Sequence, residues 1–144
     1  MEELQKAVQI AFASTFSFYL KAHAFHWNVE GSDFQEYHEL FGDIYEEVYG
    51  CVDDFAEKIR TLQVYLPASY TNLSMLTGIS DENGVPSKDV MTRELYIDNE
   101  SMNTILKYAY DKCEEAGEHG FSNFLAERLD AHRKHGWKLR SSMK

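Results

Sequence analysis

Apolar residues recur every three or four positions through most of the chain, which is a helical rhythm. From residue 3 to about 28, Leu4, Val8, Ala11, Phe12, Phe16, Tyr19 and Leu20 follow the repeat. Apolar residues there occupy more than one face, which predicts burial against several neighbours. Gly31 ends this element. Ser32-Asp33-Phe34-Gln35 then has the S-x-x-Q form of a capping box that starts a second helix. That helix is predicted as one continuous rod from about Asp33 to Leu62, with Phe34, Tyr37, Phe41, Ile44, Val48, Val52, Phe55 and Ile59 on its apolar stripe. At ~1.5 Å per residue it would be about 45 Å long. Gly42 and Gly50 lie inside it at a cost of roughly 1 kcal/mol each relative to Ala, and mark candidate close helix contacts.

Pro67 breaks the pattern, and residues 66–98 are mixed. A short apolar piece, Tyr70 to Ile79, precedes the turn-rich Ser80-Asp81-Glu82-Asn83-Gly84-Val85-Pro86. This reads as a crossover with one short helix. Asp98 or Asn99 is placed to cap a third long helix, Glu100 to about Glu118, which Gly117 and Gly120 interrupt. A last helix is predicted from about Ser122 to Ser142, with Phe124, Leu125, Leu129, Trp137 and Leu139 inward. The fold class is therefore all-α. Four long helices, with a long crossover between the second and third carrying a short helix, make the ferritin-like four-helix bundle.

Composition narrows the function. A length of 144 residues predicts a single domain, 1–144, large enough to bury a core without staples. Two Pro and eight Gly suit long uninterrupted helices. With 14 Lys plus Arg against 24 Asp plus Glu, the formal net charge is −10. That balance disfavours duplex DNA as the main partner, because DNA affinity comes mostly from cationic contacts to phosphates, and it suits a protein that attracts cations. Cys51 and Cys113 do not form a CxxC pair and read as buried thiols of a reducing cytosol. The opening Met1-Glu2-Glu3 is acidic where a secretion signal is basic, and no apolar run is long enough to span a bilayer, so the expectation is a cytoplasmic protein with no membrane partner.

The candidate chemistry lies in histidines and carboxylates. His23 and His26 fall near the end of the first helix and His38 in the second, which also carries Asp53 and Glu57 at i, i+4 on one face. Imidazole and carboxylate together suit iron, manganese or zinc. His38 and Asp53 are 15 residues apart on one predicted helix, about 22 Å along its axis. No single ion touches both within one chain. Either the residues are unrelated, or two antiparallel second helices across a two-fold axis bring His38 of one copy to Asp53 and Glu57 of the other, making two sites per isologous dimer. No Glu-x-x-His occurs, so a di-iron core inside one bundle is not supported. His132-Arg133-Lys134-His135 has ligand-like spacing, but its flanking cations oppose a metal.

The stretch Lys21-Ala22-His23-Ala24-Phe25-His26-Trp27-Asn28-Val29-Glu30-Gly31-Ser32-Asp33-Phe34, His38 twelve residues after His26, and Asp53-Asp54-Phe55-Ala56-Glu57-Lys58 resemble the signature of the Dps family, the DNA-binding proteins from starved cells. The closing His132-Arg133-Lys134-His135-Gly136-Trp137-Lys138-Leu139-Arg140 is similar to that family's last helix. The resemblance is specific over residues 16–62 and 122–141, and covers the middle only in length and helix pattern. It implies a dodecameric cage that stores iron, with ferroxidase sites between subunits: His26 and His38 from one subunit, Asp53 and Glu57 from its partner. Fe(II) would be oxidised there by hydrogen peroxide in preference to O2, and Fe(III) mineral kept in the shell. Where the family has an acidic residue four positions after the second His, this chain has Gly42. Asp43 lies about 100° further round the helix. The second iron position is then weaker, water-bridged or served by Asp43 after a local shift.

Simpler readings hold elsewhere. Trp27 is a packing residue or a neighbour of the site that intercepts oxidising equivalents. Glu118, Glu127 and Asp130 are candidates for a three-fold pore, with a solvated face as the competing explanation. His23 is expected to be structural, and His119, His132 and His135 surface or helix-end residues. Lys6 is the only early cation, so DNA binding is expected to be weak or absent. The alternatives to the ferroxidase are a non-catalytic shell that binds zinc or another divalent ion, and a nucleoid-packing protein.

Overall fold

The computed structural model describes residues 2–144. Six helices follow in order: α1 (Glu2–Asn28), α2 (Phe34–Gly50), α3 (Val52–Thr61), α4 (Tyr70–Leu76), α5 (Lys88–Glu115) and α6 (His119–Ser142). α2 and α3 together form the second rod of a four-rod bundle, and α4 is the short helix of the crossover. α1 packs against α2, α3, α4 and α5, and α5 packs against α6. This explains why α1 is apolar on several faces: Leu4, Val8, Phe12, Phe18, Ala22 and Phe25 are all buried. Phe12, Phe55, Phe121 and Phe124 meet edge to face and tie α1, α3 and α6 into one core.

The predicted second rod is broken once. At Cys51 the backbone tightens, and its N–H bonds to the carbonyl of Val48, three residues back, before Phe55 resumes the i−4 pattern on the Cys51 carbonyl. The apolar stripe crosses the break, since Val48, Phe55 and Ile59 are buried on either side of it. Burial pushes the Cys51 thiol up to about 11 and the Cys113 thiol up to about 12. Both are free and buried, as expected.

Three helix starts differ from the sequence expectation. The Ser32/Gln35 capping box does not form. Gly31 (φ 108) and Asp33 (φ 64) fold a tight left-handed link, so the N-cap is Asp33 and no side chain caps it. A capping serine needs extended backbone at the cap, and this turn denies it. Lys88 holds the link instead, through the Ser32 carbonyl at 3.1 Å. α5 starts at Lys88, twelve residues before Glu100, and its cap is Ser87, whose hydroxyl accepts from the Val90 N–H at 3.3 Å. Asp98 and Asn99 are helix interior. Their apolar stripe was hidden because Thr92 and Asn99 occupy buried positions in it. α6 starts at His119, slightly ahead of Ser122. The turn before it is a Schellman motif at Gly117 (φ 74), with Glu118 N–H on the Cys113 carbonyl and Gly117 N–H on the Glu114 carbonyl.

Two cationic side chains are buried among the described residues, Lys21 and Arg128. Lys21, on α1, meets Asp98 at 2.8 Å, Glu94 at 3.2 Å and the Ser80 carbonyl at 3.0 Å, which pins the crossover to α1 and α5. On α6, Leu125 and Leu139 face inward as expected and Phe124 and Leu129 are half-buried. Trp137 is 54% exposed, against expectation. His132 and His135, expected at the surface, are buried instead, and Arg133 and Lys134 between them point to solvent. The cation that acts on the buried pair is Arg128, whose charge helps to lower the His132 pKa.

Candidate functional site

The last turn of α1 and the second turn of α2 run alongside each other and bring His26 and His38 together. Their rings stack at 3.8 Å between centroids, 17° from parallel. His26 Nδ1–H donates to the His38 carbonyl at 2.6 Å, and His38 Nδ1–H donates to the His26 carbonyl at 2.7 Å. A carbonyl only accepts, so both Nδ1 atoms carry a hydrogen, and ligation of a metal falls to the two Nε2 atoms. Locking one ring nitrogen to a backbone carbonyl is how proteins orient a metal-ligating imidazole. Phe34 stacks on the outer face of His38 at 5.0 Å.

Gly42 is part of this geometry. A Cβ built there would lie 3.0 Å from His26 Cε1 and Nδ1, so the His26 ring occupies the space beside the missing side chain. Asp43 does not fill the gap. It is turned toward α6, exposed, with Lys138 Nζ 3.9 Å from its carboxylate. As placed, its helix phase aims it at α6 and away from the imidazole pair.

Asp53 and Glu57 stand on the exposed face of α3. Among the described residues, no three His, Cys, Asp or Glu side chains come close enough to hold a metal ion. The chain thus joins two of the four predicted ligands and leaves the two carboxylates apart from them. Glu118, at the α6 N-cap, and the exposed Glu127 and Asp130 likewise form no such group.

The periodicity reading missed an aromatic cluster around the imidazole pair. His23 lies flat on Tyr45 (3.7 Å, 7°), with Trp27 across it at 3.9 Å. Its Nδ1 is 3.0 Å from the Tyr19 hydroxyl. Tyr45 also approaches His26, at 5.1 Å. Burial, then the nearby His26, lowers the His23 pKa, so this ring stays neutral at physiological pH. Trp27 packs on His23 and is 59% exposed. The available signal was His23, Trp27 and Tyr19 at i, i+4 spacing on α1.

A family model described as a ferritin-like domain matches residues 5–144. The chain is 30% identical over 121 residues to a DNA protection during starvation protein of Brevibacillus brevis, covering 84% of this chain and 81% of that one. It is 28% identical over 140 residues to general stress protein 20U of Bacillus subtilis, covering 97% of each. Among solved structures, a Dps protein from Bacillus brevis superposes with a TM-score of 0.92 at 26% identity, over 98% of this chain and 95% of that one.

Proposed function

Since the chain belongs to the ferritin-like family and, within it, to the Dps proteins, we propose that it oxidises Fe(II) at sites shared between two subunits and stores the ferric product in a dodecameric cage. The observation that carries this reading is the reciprocally locked pair His26–His38, two imidazoles whose Nε2 atoms are left for a metal and which no third His, Cys, Asp or Glu among the described residues joins. Asp53 and Glu57 of a second copy complete the donor set when two α2–α3 rods cross a two-fold axis. An isologous contact then makes two identical sites at once.

The ring geometry bears on how many ions the site takes. An imidazole binds an ion in its own plane. Two rings 17° from parallel and 3.8 Å apart share no such point near their nitrogens. Each Nε2 therefore serves its own ion. Partner carboxylates, which are anionic and bidentate, are suited to bridge the two positions. Paired ferrous ions, as substrate, give one electron each to hydrogen peroxide, whose O–O bond breaks to two hydroxide equivalents. That stoichiometry avoids the hydroxyl radical of one-electron reduction. The ferric ions then hydrolyse and release protons. With Gly42 in place of an acidic residue, the His38 position has the poorer donor set and fills second. The net charge of −10 favours cation delivery to the cage.

Stopped-flow absorbance of anaerobic Fe(II)-loaded protein mixed with peroxide tests the proposal. His26→Ala and Asp53→Ala should each abolish the fast phase while the helical oligomer persists. Parent rates in both variants would overturn the site assignment.

A further inference from the structure

A column of rings leads from the His26–His38 pair to the surface. Between ring centres, Tyr45 stands 5.1 Å from His26 and 6.2 Å from Tyr19. His23 lies flat on Tyr45 at 3.7 Å and is 6.0 Å from His26. Tyr19 in turn meets Tyr49 at 4.7 Å, and Tyr49 is 56% exposed. Tyr19, His23 and His26 share a face of α1 because they follow at i+4 and i+3, and Tyr45 and Tyr49 share a face of α2 for the same reason. The packing of α1 on α2 brings the two sets into contact.

One hydrogen bond in this column is of a particular kind. The Tyr19 hydroxyl is 3.0 Å from His23 Nδ1. With the His23 hydrogen on Nε2, Nδ1 accepts from the phenol. Burial, then Tyr49 and Tyr45, raises the Tyr19 pKa, so the phenol keeps its proton at physiological pH. A phenol that loses an electron becomes a strong acid, and the loss is easy only when its proton leaves in the same step. A base already within hydrogen-bond reach receives that proton without waiting for water. Electrons pass readily between rings in contact, and Tyr45 and His23 are the rings that separate Tyr19 from His26.

The iron site supplies the demand. Peroxide takes two electrons as its O–O bond breaks, and one Fe(II) gives one. The His38 position fills second, because Gly42 leaves it the poorer donor set. Sites that hold a single ion are therefore populated when Fe(II) is scarce, and each is one electron short.

We propose that Tyr19 and His23 form a proton-coupled redox site that gives peroxide its second electron when a single Fe(II) occupies the His26 position, an inference that rests on the ferroxidase reading for its oxidant. Fe(II) becomes Fe(III) and gives one electron. Tyr19 gives the other, its hydroxyl proton passes to His23 Nδ1, and a neutral tyrosyl radical remains. Both peroxide oxygens leave as hydroxide. A later Fe(II) returns the electron to Tyr19, and His23 returns the proton.

The test loads the assembled protein with one Fe(II) per site, mixes it with peroxide and freezes samples during the fast phase for electron paramagnetic resonance. We expect a neutral tyrosyl signal that persists in W27F and is lost in Y19F, which removes only a hydroxyl, and in H23F, which keeps a ring on Tyr45 but no base. Ferric absorbance in the same samples reports iron oxidation. Fast iron oxidation with no tyrosyl signal, a signal that survives in Y19F or H23F, or a tryptophan signal in its place overturns this inference and leaves the ferroxidase reading standing. A second arm needs no iron: flash-generated tris(bipyridine)ruthenium(III) oxidises the metal-free assembly. Tyrosyl yield there should fall in Y19F and H23F, with the exposed Tyr65 and Tyr70 setting the remainder. An unchanged yield in Y19F overturns the Tyr19–His23 pair whatever the iron does, whereas absence of fast iron oxidation in the parent overturns the ferroxidase reading and the second-electron role with it.

Discussion

Consider two variants made together in one cell, H26A/H38A and D53A/E57A, carrying different affinity tags. Each alone lacks half of the proposed donor set at every site and should oxidise Fe(II) no faster than the metal in buffer. The chain brings His26 and His38 together, but no three potential ligands gather in one place among the described residues, so neither variant repairs itself. When the two pair across the proposed two-fold axis, one of the two sites in the mixed dimer receives imidazoles from the D53A/E57A chain and carboxylates from the H26A/H38A chain. The other site receives neither. Random pairing makes about half of all dimers mixed, so roughly one quarter of all sites are whole. Tandem affinity selection on both tags, then stopped-flow oxidation with peroxide, measures that fraction as the fast-phase amplitude per chain. An amplitude near one quarter of the parent protein's supports a shared site. Zero amplitude from a well-assembled mixed cage refutes the shared-site reasoning, and so does a fast phase in either variant alone.

Gly42→Ala should separate stability from function. Alanine gains up to about 1 kcal/mol of helix propensity, yet its Cβ would press on the His26 ring at 3.0 Å. The thermal midpoint should hold or rise slightly, while Co(II) affinity at the His pair, followed by absorption, falls by about tenfold. In the metal-free protein, His132 has a folded pKa depressed by burial, so below its ordinary value near 6.5 the unfolded chain binds the extra proton first. Stability should then fall by up to about 1.4 kcal/mol per pH unit from this group as pH drops below 6.5, and denaturant titrations of H132L should show a shallower slope, with the remainder from His23, whose pKa is lowered too. Plasmid DNA mixed with the iron-free protein at ~0.15 M salt should migrate unshifted in a retardation gel, given the net charge of −10. A shift would show that local cations outweigh the overall charge.

Most of the fold was legible from periodicity, because a helix that buries one stripe must repeat its apolar residues near every fourth position. The errors fall where polar residues are buried or where backbone overrides side chain. Thr92 and Asn99 interrupt the stripe of α5 and hid its first three turns, and the positive φ of Gly31 and Asp33 cancelled a capping box that the letters spelled correctly. The candidate site divides in the same way. Spacing alone shows that His38 and Asp53 are too far apart on one rod for a single ion, since helical rise is nearly constant. Spacing cannot show that His26 and His38 each bond the other's carbonyl, that Gly42 exists to seat a ring, or that Asp43 turns to Lys138. Local sequence determined the helices and the reach of their side chains. Only the packing of α1 on α2, and of α5 and α6 around Asn99, decided which nitrogens are tied up and which keep a lone pair, because hydrogen bonds between distant segments follow from three-dimensional placement.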